Sequence, residues 1–178
     1  MSTENQSVCA VVVAAGSSRR MGGENKLLLP LCGKPVLAHT LTAFQMCGAV
    51  RDIVLVCREQ DMEVYRTLAA ENGITKLCTL TRGGDTRTES VLAGVSAASE
   101  ACALVAVHDG ARPLVPDEVI TQAVAEAAKT GAAAPVVPVK DSIKRIENGK
   151  IAADVPRDTL AAVQTPQVFR RDMLLHAL

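Results

Sequence analysis

Aromatic side chains are nearly missing from this chain of 178 residues: Phe44, Tyr65 and Phe169 are the whole set, and there is no tryptophan. That excludes the stacking platforms on which proteins hold single strands and RNA bases, so a base bound here is read by backbone hydrogen bonds. Net charge is missing as well. Nineteen Lys and Arg balance nineteen Asp and Glu, so no global field draws the protein onto nucleic acid or an anionic membrane, and local basic clusters carry any anion binding. No stretch is apolar for long enough to span a bilayer, and the opening "MSTENQS" has an acid where a signal peptide has cations; a cytoplasmic location is expected. The six cysteines form no close pair, and several sit in apolar runs where a thiol behaves as a small hydrophobe, so reduced, mostly buried thiols are expected. His39, His108 and His176 lie apart from one another and from the cysteines, which argues against a structural zinc site.

What is present is apolar: 48% of the residues are hydrophobic, enough for one domain with a real core and too few residues for two. The stretch "VVVAAGSSRRMGGENK" (11–26) passes from a buried-strand pattern to glycine, serines and cations. Gly16, Ser17 and Ser18 would leave main-chain N–H groups unpaired at the strand end, and Arg19, Arg20 and Lys26 surround them with positive charge, a combination suited to a phosphate chain. It is not a Walker A loop: the nearby Gly-Lys pair, Gly33-Lys34, is followed by proline. Nor is it a dinucleotide fingerprint, because Ser18 stands where the second glycine belongs.

Further along, apolar strand patterns alternate with helical ones. "PVLAHTLTAFQMC" places Leu37, Thr40, Leu41 and Phe44 on one helix face, "DIVLVC" and "KLCTL" read as strands, and Thr86 to Glu89 forms a capping-box pattern opening a helix. "ALVAVH" is the next strand, "PDEVITQAVAEAAKTG" a helix stopped by Gly131, and "AAAPVVPV" is expected to resume the sheet. This alternation predicts an α/β fold, a doubly wound and mostly parallel sheet with ligand loops at the carboxyl ends of its strands. The pattern changes between about 140 and 165, where Asn148-Gly149 joins two alternating segments as a β-hairpin. Such an insertion is either a surface excursion or an arm gripping a second subunit.

Two more segments bear on chemistry. "VHDGARP" follows a strand directly, so Asp109, Gly110 and Arg112 should stand at the same sheet edge as Gly16. There Asp109 would hold Mg²⁺ against phosphate oxygens, or pair with Arg112 and need no ligand. In "GGDTRTESV", Gly83 and Gly84 would let a planar base approach free main-chain N–H groups, with Asp85 and Ser90 reading its edge; helix capping alone also accounts for Asp85 and Thr86.

Taken together, "AAGSSRRMGGENK", "GGDTRTESV", "VHDGARP", "VKDSIKR" and "VQTPQVF" resemble the 2-C-methyl-D-erythritol 4-phosphate cytidylyltransferases, nearly end to end. The resemblance implies a nucleotidyltransferase that uses Mg²⁺ and moves a cytidylyl group from CTP to the phosphate of methylerythritol phosphate, with no nucleic-acid or membrane partner. It implies Arg20 and Lys26 as transition-state stabilisers, with Ala14, Ala15 and Gly16 around the nucleotide. Gly84, Asp85 and Ser90 would read cytosine, Gly110 would meet the ribose, Asp109 the metal, and Arg112 would lie near the acceptor. It further implies a homodimer that exchanges hairpin arms, so that Ser142, Arg157 and Thr165 contact methylerythritol phosphate in the neighbouring site.

The chain departs from the family pattern in three places. Val13 replaces a common proline and Ser142 a common threonine, and the sequence stops at Leu178, before the acid and lysine that the family pattern places further on. A ribitol 5-phosphate cytidylyltransferase and a nucleotide-binding module without turnover are the alternatives.

Overall fold

The computed structural model describes residues 7–16 and 25–178. The central strand is β1 (Val8–Val13), apolar throughout and almost wholly buried. A short two-stranded ribbon, β2 (Pro30–Leu31) and β3 (Lys34–Pro35), leads into α1 (Val36–Met46), whose buried face carries the expected Leu37, Thr40, Leu41 and Phe44. Then come β4 (Val50–Cys57), α2 (Met62–Glu71), β5 (Leu77–Arg82), α3 (Arg87–Ala97), β6 (Leu104–Asp109) and α4 (Asp117–Thr130). Gly131 ends α4 in the left-handed conformation, at φ 89°, where a side chain would be strained.

The remaining elements are β7 (Ala132–Ala133), β8 (Val136–Pro138), β9 (Ile143–Glu147), β10 (Lys150–Val155), β11 (Ala161–Val163), β12 (Gln167–Arg170) and α5 (Arg171–Ala177). The main sheet has the order β5-β4-β1-β6-β12-β7. Its first four strands are parallel, while β12 runs antiparallel to both β6 and β7. The expected doubly wound, mostly parallel architecture is therefore present, with one strand inserted against the grain.

The expectation that 132–139 resumes the sheet holds only for its first two residues. Ala132 and Ala133 join the main sheet, whereas β8 leaves it and pairs with β11. Pro135 and Pro138 flank and end that segment, and neither can donate to a ladder. The β8/β11 ladder is the root of the excursion, and the β9/β10 hairpin extends from it. The hairpin turn has φ 49° at Asn148 and φ 74° at Gly149, the primed-turn geometry that an Asn-Gly pair favours.

Alternate residues of β1 serve two cores, as a strand covered on both faces requires. Ala10 and Val12 pack with α1 and α2, while Cys9 and Val11 pack with α3. Four cysteines are buried and two, Cys32 and Cys78, are exposed. No helix among the described residues is long and apolar enough to cross a membrane.

Helix α3 lies very close to the sheet because Gly94 has no side chain: a Cβ there would sit 2.3 Å from Val11 Cγ1 and 2.6 Å from Val56 Cγ2. Gly94→Ala would gain about 1 kcal/mol of helix propensity. Against that, overpacking two stiff β-branched side chains costs about 1–3 kcal/mol and should win. Urea unfolding should thus show a net loss of stability, and a more stable variant would mean that the helix can lift off the sheet freely.

Candidate active site

In the sheet, β1 lies between β4 and β6, with its crossovers leaving in opposite directions; ligands of open α/β sheets settle at such a switch point. Register brings the two key strand ends level, since Val13 pairs with Asp109. A cleft of about 1110 Å³ opens there. Ala14, Ala15 and Gly16 line it from β1, and Asp109, Gly110 and Arg112 from β6. Gly84, Asp85 and Ser90 line it from the loop and first turn of α3, and Lys26 lines it from the segment before β2. Ten of the fourteen residues expected at the site are thus brought together. Arg20 lies outside the described residues.

The cleft is basic at its walls, five cations (Lys26, Arg58, Arg82, Arg87, Arg112) facing three anions (Glu59, Asp85, Asp109). Asp109 is held on both oxygens: Arg87 donates to Oδ1 at 3.2 Å and Arg112 to Oδ2 at 3.0 Å. Burial alone would raise this carboxyl, but the hydrogen bonds and charges of the two guanidinium groups prevail and hold it below the ordinary aspartate value. The ion pair with Arg112 foreseen in the sequence is therefore formed, and Arg87 is a second partner that sequence reading missed.

Loop 109–112 is fixed from every side. Gly110 N–H donates to Val13 O at 2.9 Å, and the buried Thr40 hydroxyl donates to Gly110 O at 2.8 Å. Arg112 also reaches Gln164 Oε1 at 2.5 Å. Beneath it lies His108, fully buried, with Nε2 3.1 Å from Arg112 O and Nδ1 3.0 Å from Thr165 Oγ1. A carbonyl only accepts, so Nε2 carries the proton and Thr165 donates to Nδ1. Desolvation lowers His108 to about 4 and keeps the ring neutral near pH 7.

Two sequence expectations need correction. The main-chain donors around the Gly83-Gly84 turn are not free as a set: Glu89 Oε2 accepts from Asp85 N at 2.7 Å and Thr86 N at 3.0 Å, and Gly83 N donates to Cys57 O. The capping box foreseen at Thr86 and Glu89 consumes them. Ala14 keeps its expected place in the cleft, with its N–H donated to Val56 O at 2.7 Å and its side chain and carbonyl left to face a ligand. Thr165 is not part of the hairpin arm. It is 7% exposed and tied to His108 in its own subunit's core, because β12 begins two residues later and carries it into the sheet.

Ser142 and Arg157 stand elsewhere. They line a separate cleft of about 150 Å³ at the hairpin base, where Lys144 pairs with Asp154 and Arg157 donates to Lys140 O at 2.8 Å. Among the described residues no three His, Cys, Asp or Glu side chains cluster to hold a metal. One carboxylate beside a basic cleft does fit magnesium, which takes most of its ligands from substrate and water.

Comparison with known proteins agrees with this arrangement. The family model "IspD: 2-C-methyl-D-erythritol 4-phosphate cytidylyltransferase" matches residues 8–178. A cytidylyltransferase of that name from Dehalococcoides mccartyi is 43% identical over 174 residues, covering 97% of this chain and 76% of that protein. Another of that name, from Halalkalibacterium halodurans, is 46% identical over 160 residues, 89% of this chain and 70% of that one. Among solved structures, the 4-diphosphocytidyl-2C-methyl-D-erythritol synthase of Anaerococcus prevotii superposes with a TM-score of 0.84 at 25% identity, over 97% of this chain and 74% of that chain. The Thermus thermophilus cytidylyltransferase superposes at 0.73 with 30% identity, over 94% and 72%. A switch-point cleft walled by cations, with an aspartate at the end of β6, is thus this chain's version of a shared scaffold, and the chain belongs to the 2-C-methyl-D-erythritol 4-phosphate cytidylyltransferase family.

Proposed function

We propose that this protein transfers a cytidylyl group from CTP to 2-C-methyl-D-erythritol 4-phosphate. A phosphate oxygen of the acceptor attacks the α-phosphorus of CTP, a new P–O bond forms, and the bond to the β-phosphate breaks to release pyrophosphate. The observation that carries this reading is the gathering of Gly16, Lys26, Asp109 and Arg112 around one cleft in a chain of this family.

Such a displacement needs positioned positive charge and no covalent nucleophile. Lys26, with Arg20, supplies it to the equatorial and leaving oxygens. Ala15 and Gly16 flank the nucleotide together with Ala14. Gly84, Asp85 and Ser90 face the base, with Ser90 offering its oxygen as an acceptor because its O–H donates to Thr86 O. Gly110 meets the ribose, its position fixed by Thr40. Mg²⁺ is the proposed cofactor; Asp109 would hold it, and when bound it neutralises charge on the phosphates. Arg112 turns toward the acceptor from its place between Asp109 and Gln164.

Ser142 and Arg157 are proposed to bind the acceptor across a homodimer. Support comes from their position on the hairpin excursion, outside the cleft that holds Lys26, and from the exposed Val136, Val137 and Val163 on its root. An apolar ladder exposed this way is a surface for a second copy.

Lys26→Ala should lower pyrophosphate release from CTP and methylerythritol phosphate by about 10²–10³-fold with the fold retained, the scale of losing one transition-state donor. Wild-type turnover in that variant would remove Lys26 from the mechanism. Arg157→Ala should raise the acceptor KM or lower kcat while leaving the KM for CTP nearly unchanged. Mixing and reassociating Lys26→Ala with Arg157→Ala should restore about a quarter of wild-type activity, because each mixed dimer then owns one intact site. Arg157 acting within its own subunit would give no restoration.

A further inference from the structure

The side chain that enters the cleft with Gly16 is Lys26, yet the part-buried hydrogen bonds are made by the residue before it. Asn25 Oδ1 accepts from Leu27 N at 3.2 Å, closing a turn around Lys26, and Asn25 O accepts from Leu28 N at 2.9 Å. Its amide points the other way, donating to Tyr65 Oη at 2.9 Å and approaching Asp61 Oδ1 at 3.5 Å. Tyr65 is fully buried on α2 and is the only tyrosine in the chain. Asp61 is 7% exposed, and its other oxygen accepts from Arg58 Nε at 2.6 Å.

Physical costs make this grouping informative. A hydroxyl placed at zero exposure costs stability without a partner, and a phenylalanine would fill the same volume without that cost. Burial pushes the Tyr65 phenol up to about 12, so it is a neutral partner for the amide. Core packing accounts for the ring and for Leu27, which share one cluster. It does not account for the hydroxyl, the amide and the carboxylate converging on a segment that ends at a cleft lysine.

We infer that Asn25, Tyr65 and Asp61 form a positioning unit, anchored by Arg58, that sets where Lys26 stands in the cleft. The inference rests on the proposed role of Lys26. A lysine stem has four rotatable bonds, so aiming its ammonium depends on a fixed Cα, and the turn clamped by Asn25 fixes it. The three residues touch no reacting atom; they act through Lys26.

The test uses the full chain in six forms: wild type, Tyr65→Phe, Asn25→Ala, Lys26→Ala, and Lys26→Ala combined with each of the other two. Tyr65→Phe keeps the core filled and removes only the hydroxyl. It should lower kcat about two- to tenfold, the worth of one hydrogen bond, with an unchanged acceptor KM. Asn25→Ala should lower kcat about ten- to a hundredfold, as misplacement of a catalytic group does. In the Lys26→Ala background both changes should cost nothing more, because their effect passes through the ammonium. Equal losses in both backgrounds would mean a general structural role and would overturn the inference, as would wild-type kcat in Tyr65→Phe. Amide exchange gives a reading independent of turnover: the Leu27 N–H should exchange faster in Tyr65→Phe, and unchanged protection there would also overturn it. Failure of the proposed function is a separate result, seen as no pyrophosphate release by the wild type while the Leu27 exchange effect persists.

Discussion

The pairing of β1 with β6 is the constraint from which the rest of the site follows. Six consecutive rungs in a parallel register set Val13 against Asp109, so both chains leave the sheet at the same height. A slip of one residue would turn Asp109 to the other face of the sheet and push Val107 out of the α3 core. Burial on both faces enforces the register: residues 8–12 and 104–108 are all buried. The functional geometry is in this sense a by-product of core packing, which is how a rigid sheet can present irregular loops accurately.

Much of the parallel half was legible in the sequence because its signals are local. The apolar run of β1, the i, i+3, i+4, i+7 spacing of Leu37, Thr40, Leu41 and Phe44, the Thr86/Glu89 capping box and the Asn148-Gly149 turn each depend on residues within one or two turns of each other. What escaped depends on distant partners. β12 has four residues, too few for a period, and only its pairing with β6 and β7 makes it a strand. The same long-range pairing takes Thr165 into the core beside His108, a contact across 57 residues that no local pattern encodes. Arg87 carries no local signal, since nothing near it in sequence names Asp109 as its partner.

The main-chain donors around the cleft show the same division between local and distant. Strand ends and helix starts do leave unpaired N–H groups, but each is also claimed by the nearest acceptor. Val56 O takes Ala14, Val13 O takes Gly110, and the Glu89 carboxylate takes Asp85 and Thr86. Those donors are spent, whereas Ser17 and Ser18, expected with Gly16 to offer theirs to an anion, lie outside the described residues.

Arg87 ties the cleft together. It stands at the first position of α3, where the helix dipole disfavours a cation, so its place is not explained by helix stability. Its partner Asp109 offsets that cost across the cleft, and the same first turn carries the Glu89 carboxylate that pins Asp85 and Thr86. The loop bearing Gly84 and Asp85 is therefore linked through one helical turn to the carboxylate at the end of β6. Any ligand that draws Arg87 away from Asp109 leaves that carboxylate with Arg112 alone and its proton affinity higher. Occupancy at one wall of the cleft thus changes the hydrogen bonding of the carboxylate at the other, through a single guanidinium that both walls share.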